Sequence, residues 1–168
     1  MPSVDDHGFV APDLVLCWCG PEEAATVHTL TQSAFKGQEL LEPPSSATRE
    51  TLEVVRSDLE AGRGVVGWLG DRPVAAARVL FFDDHLHVRR IAVHPPYRRR
   101  GIASSLISWL HEQAAQRGYR YVALGTRKAL HLNRVLYERL GYHQVRDNGF
   151  WVEMHHVLGP QEADAVSG

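Results

Sequence analysis

Cysteine is nearly absent from this chain. Cys17 and Cys19 are the only two in 168 residues. They stand one residue apart in an apolar stretch, so in a strand they face the same way. That spacing does not suit an intrachain disulfide, and two ligands are too few for a structural zinc site without histidine. Both read as reduced, half-buried strand residues. An excess of positive charge is also lacking: 18 Lys and Arg stand against 20 Asp and Glu, a formal net charge of −2. This excludes a broadly basic nucleic-acid surface, and arginines that are only local favour a small anionic ligand. No apolar run is long enough to cross a bilayer. The opening Met1–His7 is acidic and has neither the basic nor the apolar region of a signal peptide, so a cytoplasmic location is expected. There is no Gly-Lys-Ser/Thr loop, no three-glycine dinucleotide fingerprint, no repeat and no second domain. One domain over 1–168 is expected, with its core at about 14–158 and loose termini.

The remainder has ordinary globular composition, 44% hydrophobic and 23% charged. Leu14–Trp18 reads as a short strand. Gly20-Pro21-Glu22-Glu23 opens a helix, with proline and acids in its first turn, and that helix runs to about Phe35. After Pro43-Pro44, a second helix is expected over Thr48–Leu59. The periodicity then changes to strands at Val65–Leu69, Val74–Phe82 and Leu86–Val93, with Asp71-Arg72-Pro73 as the first turn. Ile102, Leu106, Leu110 and Ala114 recur every four residues, which marks a helix closed by Gly118. Tyr121–Gly125 is an apolar strand, so strand, helix and strand imply a right-handed parallel crossover. Leu132, Leu136 and Leu140 mark a last helix, stopped by Gly141. His143–Arg146 and Phe150–Val157 form a terminal hairpin.

The segment between the strand ending at Val93 and the helix beginning at Ile102 carries the most chemistry. His94-Pro95-Pro96-Tyr97 stops the strand, and Arg98-Arg99-Arg100-Gly101-Ile102-Ala103 leads into the helix. A helix N-terminus has backbone N–H groups without partners and a partial positive charge, and it binds anions, most often phosphate. Gly101 lets the backbone approach the anion, Ala103 keeps the first turn clear, and the arginines stay charged at neutral pH.

This turn, the preceding Ile91-Ala92-Val93-His94-Pro95 and the later Asn133…Leu136-Tyr137-Glu138-Arg139-Leu140-Gly141-Tyr142 together resemble the GNAT N-acetyltransferase superfamily. Its acetyl-CoA turn reads Gln or Arg, two variable residues, Gly, one variable residue, then Gly or Ala. Arg98, Gly101 and Ala103 fill those places. The resemblance implies a mixed α/β, three-layer fold: a mostly antiparallel twisted sheet with one parallel crossover, splayed at the cofactor cleft, and helices on both faces. It implies acetyl-CoA as co-substrate and no metal. The pyrophosphate would lie on the backbone at Arg99, Arg100, Gly101, Ile102 and Ala103, near Ser104 and Ser105. The pantetheine would pair with Ile91, Ala92 and Val93. Asn133 would contact the pantetheine, and Tyr137 would sit at the thioester sulfur.

Acetyl transfer to an amine needs a base for the amine, a donor for the oxyanion and a proton for the leaving thiolate. Tyr137, a phenol protonated at pH 7, is the expected acid, and the N–H of Val93 the expected oxyanion donor. The resemblance places the base at His87, a departure from the family's glutamate but a natural base near neutrality. By strand alternation His87 shares a face with Arg89, Ile91 and Val93. His85, Asp84 and Glu153 are rivals. The Asp83–His87 run could also bind metal, but spacing supplies no further ligands. Trp18, Trp68, Trp109 and Trp151 read as core or groove residues, with Trp151 an alternative lining of an acceptor pocket. His155 and His156 point to opposite faces and suggest no function. The acidic loop at 36–47, with Glu39 and Glu42, reads as solvated. The expected partner is a small-molecule or peptide amine, with neither nucleic acid nor membrane. A homodimer through the edge offered by Phe150–Val157 is also expected. A non-catalytic acyl-CoA-binding regulator and a nucleotide-phosphate-binding module are the competing readings.

Overall fold

The computed structural model describes residues 13–159. Among them run seven strands and four α-helices: β1 (Leu14–Cys19), α1 (Ala24–Phe35), α2 (Leu52–Glu60), β2 (Gly64–Leu69), β3 (Arg72–Phe81), β4 (His85–Val93), α3 (Ile102–Gln116), β5 (Tyr121–Arg127), α4 (His131–Arg139), β6 (His143–Asp147) and β7 (Trp151–Val157). The strand order is β1-β2-β3-β4-β5-β7-β6. The pairs β1–β2, β2–β3, β5–β7 and β6–β7 are antiparallel, and β4–β5 is parallel. This is the mixed α/β fold that the element order implies.

The chain packs as two compact units, one of residues up to Val79 with Arg89–Leu106, the other of Leu80–Val88 with residues from Ile107 onward. In the first, Ala24, Val27 and Leu30 of α1 recur at helical spacing and pack with Val55 and Leu59 of α2 and with Val66 and Ala76 of the sheet. Each fully buried valine or leucine contributes about 1.5–3 kcal/mol. Cys17 and Cys19 pack against this cluster from the same face of β1. The second helix starts later than its apolar spacing suggests. Thr51 Oγ1 accepts from the N–H of Val54 and caps α2, while Ser46–Arg49 form a separate 3-10 turn. The β2–β3 turn is also shorter than expected. Gly70 takes a left-handed φ of 64°, and Arg72 and Pro73 already belong to β3. Proline is tolerated there because the register shifts between Gly67 and Trp68, beside its partner position.

A buried arginine lies at the heart of this unit. The Arg78 side chain on β3 is fully buried and bonds both Glu50 and, at 3.2 Å, Asp58. Arg89 Nη2 reaches the same Asp58 oxygen at 3.0 Å. Arg90 donates to Glu50 at 3.3 Å and to Ser46 Oγ at 3.0 Å. Desolvating so much charge is tolerated only because the ions face one another.

In the second unit, β5 pairs with β4 from His85↔Tyr121 to Val88↔Leu124 and with β7 along its whole length. The order places β7 between β5 and β6. Residues 150–157 therefore do not offer the free edge expected for dimer formation. The edge strand on this side of the sheet is β6, exposed at every residue.

Candidate active site

The strand-to-helix turn is built by local geometry. After Val93, the N–H of His94 donates to Val74 at 2.8 Å, and Pro95–Tyr97 form a 3-10 turn. Arg99 and Gly101 then take left-handed φ values of 64° and 74°, which glycine adopts without strain and arginine does not. The first bond of α3 runs from the N–H of Ser105 to Gly101 C=O at 3.0 Å. The N–H groups of Ile102, Ala103 and Ser104 therefore precede the helical ladder and are available to an anion. Ser105 Oγ is buried there without a hydrogen-bond partner. Donors, helix end and an orphaned hydroxyl together fit a diphosphate.

The three arginines divide their work. Arg98 donates to Ala34 C=O at 2.8 Å, tying the turn to the end of α1. The Arg100 guanidinium lies 5.0 Å from the centre of the Tyr97 ring. Arg99 is exposed. Arg98 thus anchors the loop with its side chain, a task its charge alone did not suggest.

On β4, Ala92 is buried and Ile91 and Val93 are half-buried. Arg90, just before them, has a left-handed φ of 54°, a cost of about 1–3 kcal/mol for a residue other than glycine. The alternation that puts His87 on one face with Ile91 and Val93 requires extended backbone throughout, and Arg90 interrupts it. Ile91–Val93 and the turn lie in the first unit, whereas His87, Asn133 and Tyr137 lie in the second.

Asn133 and Tyr137 stand one helical turn apart on α4. The helix closes on Gly141, φ 90°, with the N–H of Tyr142 donating to Tyr137 C=O and that of Gly141 to Glu138 C=O, both at 3.0 Å. This closure folds Tyr142 back, its ring centre 6.0 Å from that of Tyr137. Tyr137 is only 7% exposed, and burial pushes its phenol up to about 12. A phenol so placed holds its proton at neutral pH.

Behind it is a cluster that sequence reasoning missed. The Tyr142 hydroxyl and His111 Nε2 are 2.7 Å apart, and the His111 ring stacks on His156 at 4.0 Å and 1°. Burial first, and His156 second, push the His111 imidazole down to about 3. Burial also pushes the Tyr142 phenol far up, so a neutral hydroxyl and a neutral imidazole share this hydrogen bond. His155, on the other face of β7, stacks on Tyr121 at 4.4 Å. The histidine pair is therefore split between two clusters. Only the small period-2 signal of adjacent strand residues hinted at this.

His87 is half-buried and registers with Ala123 on β5. His85, Asp84 and Glu153 each have a local partner. His85 Nδ1 lies 2.6 Å from Asp84 Oδ1, and its ring is sandwiched by Phe82 and Tyr121, each at 4.6 Å. That bond to His85 holds the Asp84 carboxyl below its usual range. Glu153 is 3.1 Å from His155 Nε2. Among the described residues, no three His, Cys, Asp or Glu side chains group to hold a metal ion.

Comparison with known proteins places this geometry in context. Among solved structures, the chain is similar to the ribosomal-protein-S18-alanine N-acetyltransferase of Escherichia coli, with 16% identity, TM-score 0.73, and 88% of this chain and 95% of that one covered. It is similar to the PaiA N-acetyltransferase of Thermoplasma acidophilum in complex with coenzyme A, with 12% identity, TM-score 0.77, and 86% and 98% covered. Ard1 of Thermoplasma volcanium matches at 13% identity and TM-score 0.73, with 88% and 99% covered. No curated protein matches the chain by sequence. The family model for the acetyltransferase (GNAT) family matches residues 27–142, a span that holds the turn, the end of β4 and the whole of α4, and the chain belongs to that family.

Proposed function

We propose that this chain is an acetyl-CoA-dependent N-acetyltransferase that moves the acetyl group directly from the CoA thioester to a primary amine of a small molecule or protein. The observation that carries this reading is the left-handed turn at Arg99 and Gly101, which opens α3 with free N–H donors inside a GNAT-family span. In this reading the pyrophosphate rests on Arg99–Ser104, with charge from Arg98 and Arg100, and the pantetheine pairs with the backbone of Ile91, Ala92 and Val93. Asn133 contacts the same arm from α4. The solved neighbour that carries coenzyme A supports this choice of co-substrate, and the one named for an S18 alanine supports an amine acceptor.

In the chemical step, His87 takes a proton from the amine, whose nitrogen attacks the thioester carbon. The N–H of Val93 donates to the oxyanion as the carbonyl π bond opens. The C–S bond then breaks, the carbonyl re-forms, and Tyr137 gives its proton to the departing sulfur. The products are an amide and free CoA. Two placements support these roles: Tyr137 holds its proton at neutral pH, and His87 lies partly open on β4.

The test is a panel of amine acceptors with acetyl-CoA, read by thiol release. Amine-dependent release is expected, together with mass-spectrometric acetylation of the amine. CoA binding without thiol release from any acceptor contradicts catalysis and leaves a regulator that binds acyl-CoA.

A further inference from the structure

We propose that Arg89 and Arg90, with Ser46 beside them, form a binding site for a small carboxylate on the flank of β4, next to Ile91–Val93. Every residue of this site lies in the first compact unit, and the site stands whether or not the chain transfers acetyl groups.

Two neighbours on an extended strand point to opposite faces. Arg89 and Arg90 do not, since both reach the stretch from Ser46 to Asp58. Arg89 Nη2 donates to Asp58 Oδ2 at 3.0 Å. Arg90 donates through Nε to Glu50 at 3.3 Å and through Nη2 to Ser46 Oγ at 3.0 Å. The left-handed φ of 54° at Arg90 breaks the alternation and lets the two side chains converge. The buried Arg78 lies between their partners, bonded to both Glu50 and Asp58. The ions therefore run Arg89, Asp58, Arg78, Glu50, Arg90, and both ends of the row are guanidinium groups.

Three guanidinium groups meet two carboxylates in this row, so one positive charge is left over. Arg63 adds little to it: the group approaches Asp58 only at 4.0 Å, and its side chain is 41% exposed, where water screens it. Donors outnumber acceptors as well. Arg78 Nε and Arg89 Nε are buried with no hydrogen-bond partner. Among the described residues, Nη1 of Arg89 and Nη1 of Arg90 make no hydrogen bond either. Burial lowers the Arg90 guanidinium below its usual value; Glu50 opposes this, and the like charges of Arg78 and Arg89 add to it. A partly desolvated cation without a counterion is costly. The two end groups are the ones a ligand can reach, Arg89 with 34% and Arg90 with 22% of the side chain exposed. Ser46 is exposed beside them, and its hydroxyl accepts from Arg90 while keeping its own proton to donate. A carboxylate takes two parallel N–H donors from a guanidinium plane. Its single charge closes the row, whereas a phosphate dianion overshoots by one.

The experiment titrates the full chain with butyrate, butyramide, inorganic phosphate and chloride, following the arginine Nε–H resonances and Tm. Butyrate is expected to move the Arg89 and Arg90 resonances to saturation and to raise Tm. Butyramide, and chloride at equal ionic strength, are expected to do neither. Arg90→Gln is expected to weaken butyrate about tenfold or more. Ser46→Ala, an exposed change that leaves the ion row intact, is expected to weaken it about threefold, and this variant carries the test if Arg90→Gln does not fold. Arg89 and Arg90 resonances that stay still under butyrate overturn the proposal, as does an unchanged affinity in every folded variant. Tighter binding of phosphate than of butyrate overturns the choice of a carboxylate. A second arm finds the source of the group, with γ-aminobutyrate and γ-aminobutyramide compared as acceptors of the acetyl group. A lower KM for the acid, lost in Ser46→Ala, makes the carboxylate the acceptor's own. Equal KM values, with butyrate still bound, make it a separate ligand. Thiol release from no amine at all, with butyrate bound, removes the transferase reading and leaves the site.

Discussion

Burial of His111 against His156 is expected to make this protein sensitive to mild acid. His111 Nε2 lies 2.7 Å from the Tyr142 hydroxyl, and the ring lies flat on His156 at 4.0 Å. Burial first, and His156 second, lower its imidazole from 6.5 to about 3. In the unfolded chain the ring returns to about 6.5. Between those two values the unfolded state takes up a proton that the folded state refuses, so stability falls as pH drops below 6.5 and goes on falling to about 3. At pH 5 the gap is about 1.5 pH units, and at about 1.36 kcal/mol per unit the loss is about 2 kcal/mol. For a chain of this size that lowers Tm by about 4–8 °C. The perturbation is His111→Gln, whose amide offers both a donor and an acceptor to Tyr142 but does not titrate. Thermal melts of both proteins at pH 7.5 and pH 5.0 give a double difference that cancels the titrating groups not in contact with His111. The variant is expected to lose about 2 kcal/mol less than the parent over this interval. Equal losses in the two proteins, or a His111 resonance that titrates near 6.5, refute the assignment.

Three further outcomes follow from other contacts. Arg78→Met leaves Glu50 and Asp58 without their buried partner, and chemical denaturation is expected to show a loss of about 3–5 kcal/mol. A loss below about 1 kcal/mol contradicts the role given to this cluster. Tyr137→Phe keeps the ring packed against Tyr142 and removes only the proton; turnover is expected to fall about 10²–10⁴-fold while CoA affinity is kept. Unchanged turnover, with chemistry rate-limiting, removes Tyr137 from the mechanism. Burial and the neighbouring Cys17 push the Cys19 thiol up to about 12, so iodoacetamide at pH 8 should leave it unmodified in the folded protein and alkylate it after denaturation.

The parts of the molecule that were legible in the sequence are those governed by neighbours in the chain. The turn at 98–103 could be read because a proline stop, a glycine and a four-residue apolar repeat stand side by side. Gly118 and Gly141 mark helix ends for the same local reason: both take left-handed φ and close a bonded cap. What was not legible depends on distant pairing. Nothing near Arg78 announces that its partners are Glu50 and Asp58, 28 and 20 residues away. His111 and Tyr142 are 31 residues apart, and each alone is an unremarkable helix or loop residue. The placement of β7 between β5 and β6 follows from sheet order, which strand periodicity does not encode, so the free edge was assigned to the wrong strand. The late start of α2 turned on whether Thr48 or Thr51 supplies the cap, two residues of one type separated by less than a turn. Gly125 shows the limit most plainly. Trp151 packs against its bare backbone, a contact that only the strand pairing brings about.

The most direct test of the central claim is a calorimetric titration of CoA into the parent protein and into Gly101→Val. Gly101 holds φ 74° at the start of α3, where a branched side chain is strained and covers the N–H groups assigned to the pyrophosphate. The account predicts that CoA binds the parent and raises its stability by about 2.7 kcal/mol at a hundredfold excess over Kd. It also predicts that Gly101→Val, shown to be folded by circular dichroism, gives no heat of binding. Equal affinity in the two proteins would contradict the placement of the cofactor on this turn, and with it the chemistry built around it.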